Sequence, residues 1–219
     1  MRHPHGLRAA AGNQGIVLPN IGDAYEGGFF AGAISHTANG VATHLLIVAP
    51  AATGASGSDY TITTNLQWKT TNTTTVGTTS SFDGAANSAN MNNASHPAAQ
   101  FCEGLSIGGY TDWYLPARYE LEIAYYNLKP TTDSNNTSHG INAYSVPARG
   151  SNYTAGTPAQ TTVTAFQTGN SEAFVATYHW SSTEDSSTDA WCLAFSSGPQ
   201  FGLTKNNGFR TRAFRKLAL

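Results

Sequence analysis

The sequence predicts one α+β domain made of many short strands and two helices. Three observations support this prediction. Apolar runs of strand length, bounded by Gly, Pro, Asn and Ser, recur along the chain. Two stretches in its middle have apolar residues at helical spacing, and the strands and helices do not alternate in βαβ fashion. At 219 residues the chain is long enough for one well-buried domain.

The first 21 residues show no apolar period of either kind and are rich in Gly, Ala, Arg and His. Such a segment does not fold alone. It is either a disordered terminus or a docking arm that becomes ordered against a partner or a sister subunit. We therefore divide the chain into an N-terminal arm, residues 1–21, for docking or oligomerisation, and a folded domain, residues 22–219.

The domain is predicted to begin with a β-hairpin. Apolar runs at 27–34 and 44–50 flank Asn39-Gly40, a dipeptide that favours tight turns. His36 and His44 lie beside this turn. We interpret them as exposed or hydrogen-bonded histidines, since no third metal ligand is near in sequence.

A zone rich in Thr, Ser and Asn follows, from Gly54 to Asn93. Its charged residues are Asp59, Lys69 and Asp83. Residues 60–68 are predicted to hold a strand anchored by Trp68. Residues 70–81 are predicted to be loop or exposed edge, because they are almost free of apolar side chains.

Two helices come next. Ser95 is predicted to cap the first, which runs to Leu105, and Pro116 to open the second, which ends at Leu128. Their inward faces are Ala98, Phe101, Cys102 and Leu105 in the first, and Leu121, Ala124, Tyr125 and Leu128 in the second. Residues 131–171 read as loop, with 161–166 as their best strand.

The C-terminal fifth is predicted to contain three strands, at 190–195, 200–204 and 209–217, joined by two turns. The polar loop 183–189 and the two turns are the places in this part where side chains can reach a partner without being needed in the core.

Composition excludes several functions. Net charge is −2 with only 11% charged residues, so neither nucleic acid nor an acidic membrane is expected as a partner. No apolar run is long enough for membrane insertion. Cys102 and Cys192 lack the spacing of a zinc or redox pair, which leaves two buried thiols or one bridge. The first residues lack the apolar core of a secretion signal, so we expect use in the cytosol or release by lysis.

Several ordered motifs carry a family resemblance. They are Asp83-Gly84-Ala85-Ala86-Asn87, then Cys102 with the run from Gly108 to Pro116 and Glu120-Leu121, then Tyr178 to Thr183, Ala190-Trp191, Phe195, Gly198, Arg212 and Arg215. Over about residues 22–219 the chain resembles the C-type-lectin-like domain family of phage tail-fibre and variable proteins and bacterial surface adhesins, including the C-terminal domain of the Legionella collagen-like protein. The resemblance implies a C-type-lectin-like fold.

The resemblance and the residue types together give some positions structural roles. We predict that the fold is formed by Trp113, Pro116, Glu120, Leu121, Trp180, Trp191, Phe195, Arg212 and Arg215. The basic end, Arg210 to Lys216, is expected to pair with Asp112, Glu120 or Glu122. The family's closing cysteine is replaced by Ala213-Phe214, so its disulfide to Cys102 is not carried over.

The resemblance also implies a ligand-binding surface, for which the alternative is an ordinary solvated loop. Carried over by position, the surface comprises Glu184, Asp185, Ser187, Thr188, Gln200, Phe201, Leu203, Lys205, Asn206 and Asn207. Exposed apolar residues beside adaptable polar ones are typical of a recognition patch.

The expected function is that of a non-enzymatic phage virion protein, in a tail or head fibre, that binds a host-surface polysaccharide or protein. We expect a homotrimer, made in the host cytoplasm, whose arm contacts other virion proteins. An architectural decoration protein and a bacterial surface adhesin are the alternatives. No cofactor or metal is expected. A related fold that oxidises sulfatase cysteines uses paired cysteines and a metal, and this chain has no such cysteine pair. Calcium is not expected either, because Glu184, Asp185 and Asp189 supply too few oxygen ligands.

Overall fold

A computed structural model describes residues 18–56 and 65–219 of the chain. Most of the predicted arm, residues 1–17, and most of the predicted strand at 60–68 lie outside the described residues. Leu18 and Ile21, which the prediction assigned to the arm, pack against the hydrophobic core. The Gly22 amide then donates to the Phe30 carbonyl at 2.8 Å. These contacts attach the chain to the domain from Leu18 onward.

The structure combines helices with mostly antiparallel strands, which confirms the α+β class. The main sheet contains β1 (Ala24–Tyr25), β2 (Gly28–Ile34), β3 (His44–Val48) and β12 (Phe214–Ala218) in that order, and β6 (Ser145–Val146) pairs with β2. The predicted hairpin is therefore present as β2 and β3. A second sheet has the order β7 (Tyr178–Glu184), β8 (Asp189–Ala194) and β9 (Gln200–Thr204).

Both faces of the main sheet are covered. Leu45 and Ile47 of β3 point into one core cluster, which contains the tryptophans Trp68, Trp113 and Trp180. Leu46 and Val48 point into a second cluster, which contains Leu121, Tyr125, Phe195 and Phe214. The alternation follows from the two-residue period of a strand, and it explains why His44–Val48 is almost entirely apolar.

The described residues form four α-helices around the sheets: α1 (Ala51–Gly54), α2 (Gly84–Ala89), α3 (Pro97–Glu103) and α4 (Arg118–Leu128). The last two are the predicted helices, with starts shifted by about two residues. The four predicted inward residues of α4 are all buried. Helix α2 was not predicted. Its start is stabilised by the Asp83 carboxylate, which accepts a hydrogen bond from the Ala86 amide at 3.1 Å.

The buried carboxylate of Glu120 organises the start of α4. It accepts hydrogen bonds from the amides of Ala117 at 2.7 Å and Gly84 at 3.1 Å, and from the Tyr114 hydroxyl at 2.9 Å. Burial raises its pKa to about 7. Glu120 thus ties α4 to α2, which supports the structural role predicted for it.

Two predicted strands are wrong. Residues 161–166 contain a 3₁₀ turn, Thr164–Phe166, because the Phe166 amide bonds to the Val163 carbonyl three residues back. The strand predicted at 209–217 is three strands with separate partners. β10 (Gly208–Phe209) pairs with β5 (Leu66–Gln67), β11 (Thr211–Arg212) with β4 (Ala55–Ser56), and β12 with β3.

Candidate functional site

The second sheet brings two polar connections to one of its ends. Residues 185–188 link β7 to β8, and residues 205–207 follow β9. Asp189 pairs with Thr204 across β8 and β9, which places the two connections side by side. The Lys205 amide donates to the Thr188 carbonyl at 3.0 Å and joins them directly.

A third loop, residues 70–77, lies against these two. The Asn72 side chain accepts a hydrogen bond from the Asn206 amide at 3.3 Å. The Glu184 carboxylate, at the end of β7, accepts one from the Thr75 amide at 2.9 Å. We call the combined surface of residues 70–77, 185–188 and 206–207 the three-loop face.

Lys205 holds the three-loop face together from beneath. Its side chain is 0% exposed and forms an ion pair with Glu184. Its ammonium group also donates to the Thr73 carbonyl at 3.0 Å and the Ser187 carbonyl at 2.8 Å. The buried ammonium group of Lys205 therefore bonds to loop 70–77, to loop 185–188 and to Glu184 at the end of β7.

A second lysine completes the support. The ammonium group of Lys69 donates to the carbonyls of Thr73 at 3.0 Å and Thr74 at 2.9 Å, and to the Thr75 hydroxyl at 3.0 Å. The Thr73 carbonyl is thus shared by both lysines. Burial and the nearby Lys205 charge lower the pKa of Lys69, while Glu184 opposes this shift. The two lysines and Glu184 form what we call the lysine clamp.

His96 extends the clamp as a neutral side chain. Burial, followed by the charges of Lys69 and Lys205, lowers its pKa to about 4. Its Nδ1 lies 2.9 Å from the Asn93 side-chain oxygen and its Nε2 lies 2.9 Å from the Thr75 hydroxyl. A neutral ring that donates from Nδ1 and accepts at Nε2 satisfies both contacts, and the Thr75 oxygen remains free to accept from Lys69.

The exposed part of the three-loop face carries hydroxyl and amide groups. Its exposed residues are Thr70, Thr71, Asn72, Thr73, Thr74, Val76, Gly77, Asp185, Ser186, Ser187, Thr188, Asn206 and Asn207. Asp185 supplies a charge, and Val76 is 86% exposed. Thr75 and Thr78 on either side of Val76 are buried, so this apolar side chain is held outward by a fixed backbone.

Five of the ten residues predicted to bind a ligand lie on this face: Asp185, Ser187, Thr188, Asn206 and Asn207. Glu184 and Lys205 are corrections, because both side chains are buried in the lysine clamp and cannot touch a ligand. Gln200 is also buried, at 4% exposure, and accepts a hydrogen bond from Arg118. A charged residue beside a turn is usually exposed, so no local pattern indicated that Glu184 and Lys205 are buried.

Phe201 and Leu203 lie away from the three-loop face. Phe201 is 39% exposed at the start of β9, with its ring centroid 6.3 Å from Tyr178 and 6.0 Å from His139. Leu203 packs against the first core cluster. The recognition patch expected around these two residues is therefore separate from the polar loops.

The contribution of residues 70–77 to this face was not predicted, since these residues were expected only to be loop or exposed edge. One signal was present. Lys69 is a cation in a segment with almost no charge, directly after the buried Trp68. The ammonium group of a lysine beside a Thr-rich loop can reach the backbone carbonyls of that loop, and Lys69 donates hydrogen bonds to those of Thr73 and Thr74.

The prediction of fold-forming residues needs one correction, because Trp191 does not lie in the core. Trp113, Pro116, Glu120, Leu121, Trp180, Phe195, Arg212 and Arg215 are buried, as predicted. Trp191 is only partly buried, on the side of β8 that carries Arg118. The Arg118 guanidinium carbon lies 3.5 Å from its ring centroid. Since alternate residues of β8 face opposite sides, Ala190 and Cys192 fill the core position instead.

The closing arginines are buried in ion pairs. Arg215 bonds Asp112 through two nitrogens, at 2.5 and 3.0 Å, as the sequence analysis allowed. Arg212 pairs with Glu172 at 2.9 Å, a partner that was not predicted. Cys102 and Cys192 are both free and buried, which decides between the two alternatives for the thiols.

The part of the chain that the structure describes has no group of three or more His, Cys, Asp and Glu placed to hold a metal ion. Within the same residues, every helix is too short or too polar to cross a membrane.

The sequence of the three-loop face lies inside a recognised family profile. Residues 60–215, about seven-tenths of the chain, match the profile of the Lcl C-terminal domain. The chain belongs to the Lcl C-terminal domain family. This confirms the family named from the motifs, over a shorter range than the resemblance suggested.

Membership indicates a domain of the surface or adhesin type. The Lcl match includes both lysines of the clamp and all three loops of the face, whereas β1 to β4 lie before it. A search of curated proteins finds no match for the chain.

Proposed function

We propose that this Lcl domain is the receptor-binding part of a phage fibre, and that the three-loop face contacts a polysaccharide or protein on the host surface. The domain is proposed to have the C-type-lectin-like fold, to lack enzymatic activity and to be carried on the virion. Family membership supports a surface-binding role at a coarser level, which a bacterial surface adhesin also fits.

The observation that supports this proposal best is the lysine clamp beneath an exposed, weakly charged face. Lys205 and Lys69 bond to backbone carbonyls of the loops, so these side chains fix the loops without occupying their outer surface. A binding surface that is ordered before it meets its ligand loses less entropy on binding. Ser, Thr and Asn then supply adaptable hydrogen bonds at low charge.

The architectural alternative gives the loops no reason to be fixed in this way. A decoration protein needs solubility and an attachment surface, whereas buried charges beneath exposed loops are costly unless the loop geometry matters. The buried Lys205–Glu184 pair therefore favours recognition.

We expect a variant with one change in each loop of the face to lose host adsorption and keep its fold. The changes are Val76→Ser, Ser187→Ala and Asn206→Ala. Val76 is largely exposed and the other two side chains lie outside the clamp, so the melting temperature should stay within a few degrees. Adsorption of particles that carry the variant should fall roughly tenfold or more, since a few central residues usually carry most binding energy.

The matched control makes the same kinds of change elsewhere: Val41→Ser, Ser151→Ala and Asn152→Ala, all at exposed positions. It should adsorb as the parent does. Equal adsorption of the three-loop variant and the control would contradict a receptor role for this face and favour the architectural alternative.

A homotrimer whose assembly depends on the residues before Leu18 is also proposed. Light scattering should give a trimer for the full chain and a monomer for a chain that begins at Leu18. The truncation is placed there so that Leu18 and Ile21, which pack on the core, are retained. A monomer in both samples would remove the proposed role of the arm.

A further inference from the structure

A second exposed feature lies next to the three-loop face, on the outer side of β8. Trp191 is paired across the strands with Gly202 of β9, and it stacks against the guanidinium group of Arg118, the first residue of α4. The 3.5 Å separation is that of a planar group lying on a ring. The ring of Tyr119 is 5.4 Å from the same guanidinium carbon.

Arg118 is fixed in orientation. Its Nε donates to the Gln200 side-chain oxygen, and its backbone amide donates to the Thr183 hydroxyl at 3.0 Å. Gln200 itself is buried, so this bond is anchored in the domain. The guanidinium plane is thus set by the stack on one side and by the Gln200 bond at its base.

The outer edge of the guanidinium group is unused. Within the described chain, its two terminal nitrogens have no hydrogen-bond partner, and they are not among the buried polar atoms that lack one. Arg118 is only partly buried, so solvent or a ligand can reach this edge. Two parallel N–H groups on a fixed plane match the two oxygens of a carboxylate.

Asp185 supplies an acceptor beside this donor edge. Its carboxylate lies over Gly202, where a Cβ would overlap it, so the absence of a side chain at 202 creates the space that it occupies. Gly202 is the cross-strand partner of Trp191, which puts the acceptor next to the stacked pair. The negative charge of Asp185 also offsets the positive charge of Arg118. The site therefore does not attract polyanions in general.

We propose that Arg118, Trp191 and Asp185 form a subsite for a saccharide that carries a carboxylate, of the uronic or sialic acid class. The Arg118 edge takes the carboxylate, Asp185 accepts hydrogen bonds from sugar hydroxyls, and Trp191 and Tyr119 supply apolar contact area. This subsite rests on the proposed receptor function. It lies at the margin of the three-loop face, with which it shares Asp185, and it specifies the class of ligand that binds there.

The test is a calorimetric titration of the full chain with two matched pairs of sugars: sialyllactose with lactose, and galacturonate oligomers with galactose oligomers. We expect one acidic sugar to bind at least roughly tenfold more tightly than its neutral partner. Equal binding within both pairs would overturn the proposal.

Two variants and a control locate the effect. Arg118→Lys keeps the charge and loses the paired donors, and it should weaken binding of the acidic sugar roughly tenfold or more. Asp185→Asn, at an exposed position, keeps one acceptor oxygen and removes the charge that opposes an acidic ligand, so it should bind the acidic sugar at least as tightly as the parent does. The control Lys216→Gln removes one positive charge that pairs with Asp83 and contacts none of the three subsite residues, and it should bind as the parent does. Unchanged affinity in Arg118→Lys, or equal competition by dextran sulfate, would overturn the subsite.

Particle adsorption separates the two proposals. If particles carrying Arg118→Lys adsorb as the parent does, the subsite fails while the receptor function stands. If the parent itself does not adsorb, the receptor function fails, and the titration of the isolated chain still decides the subsite.

Discussion

Trp113→Ala should unfold most of the domain at temperatures where the parent is stable. The Trp113 ring is 1% exposed and packs in the first core cluster with Trp68 and Trp180. Its indole N–H also donates to the Tyr110 carbonyl at 3.1 Å. Removing a buried tryptophan costs about 3–5 kcal/mol, against a total stability of about 5–15 kcal/mol for most domains.

Trp191→Ala is the matched comparison, because it removes the same side chain from a partly exposed position. Both tryptophans were predicted to form the fold, and the partial exposure of Trp191 changes that expectation for it. Losing the Arg118 stack and part of the buried area should cost about 1–2 kcal/mol. Urea unfolding followed by circular dichroism gives both free energies. Equal losses in the two variants would show that the distinction between the tryptophans is wrong.

Lys205→Met should be nearly as damaging, for an electrostatic reason. It leaves the Glu184 carboxylate buried beside the Thr73 and Ser187 carbonyls after their shared donor is gone. Breaking a buried pair by removing one partner costs about 3–5 kcal/mol. Amide exchange should also speed up at Thr75, whose amide bonds to Glu184.

A double-mutant cycle tests whether the loss comes from the stranded charge. Glu184→Gln combined with Lys205→Met should cost less than the sum of the single changes. Lys216→Met is the control: it breaks an ion pair of 2.6 Å with Asp83 in which both side chains are partly exposed. Its cost should be at most about 1 kcal/mol. Additive costs in the cycle would mean that the clamp does not act as a unit.

Local sequence patterns were enough to predict the elements whose formation depends on residues close in sequence. The β2–β3 hairpin, α4, β8 and β9 were predicted because the period of their apolar residues and their turn residues lie within a few positions. The strand predicted at 209–217 failed for the opposite reason. Its three parts pair with β5, β4 and β3, and no local pattern encodes three distant partners.

The candidate site shows the same division. Ser187 and Asn206 were named by carrying the family's ligand surface over by position, and both are exposed, as polar residues at hairpin ends usually are. Lys205 has the same sequence context, yet its side chain is buried. Its partner, the Thr73 carbonyl, lies 132 positions earlier, so the local sequence does not indicate this contact. Trp191 was assigned to the core by residue type, and only its strand register shows that it faces Arg118.

The position of β12 determines when this domain can fold during synthesis. Phe214 is fully buried, pairs with Val48 on one side and exchanges backbone hydrogen bonds with Tyr114 on the other. These contacts join the end of the chain to a strand made some 170 residues earlier. While residues 214–218 are still inside the ribosomal exit tunnel, β3 has no partner on that edge. The main sheet can therefore be completed only after residues 214–218 have left the tunnel, and a stop codon at position 214 would remove a whole edge of that sheet.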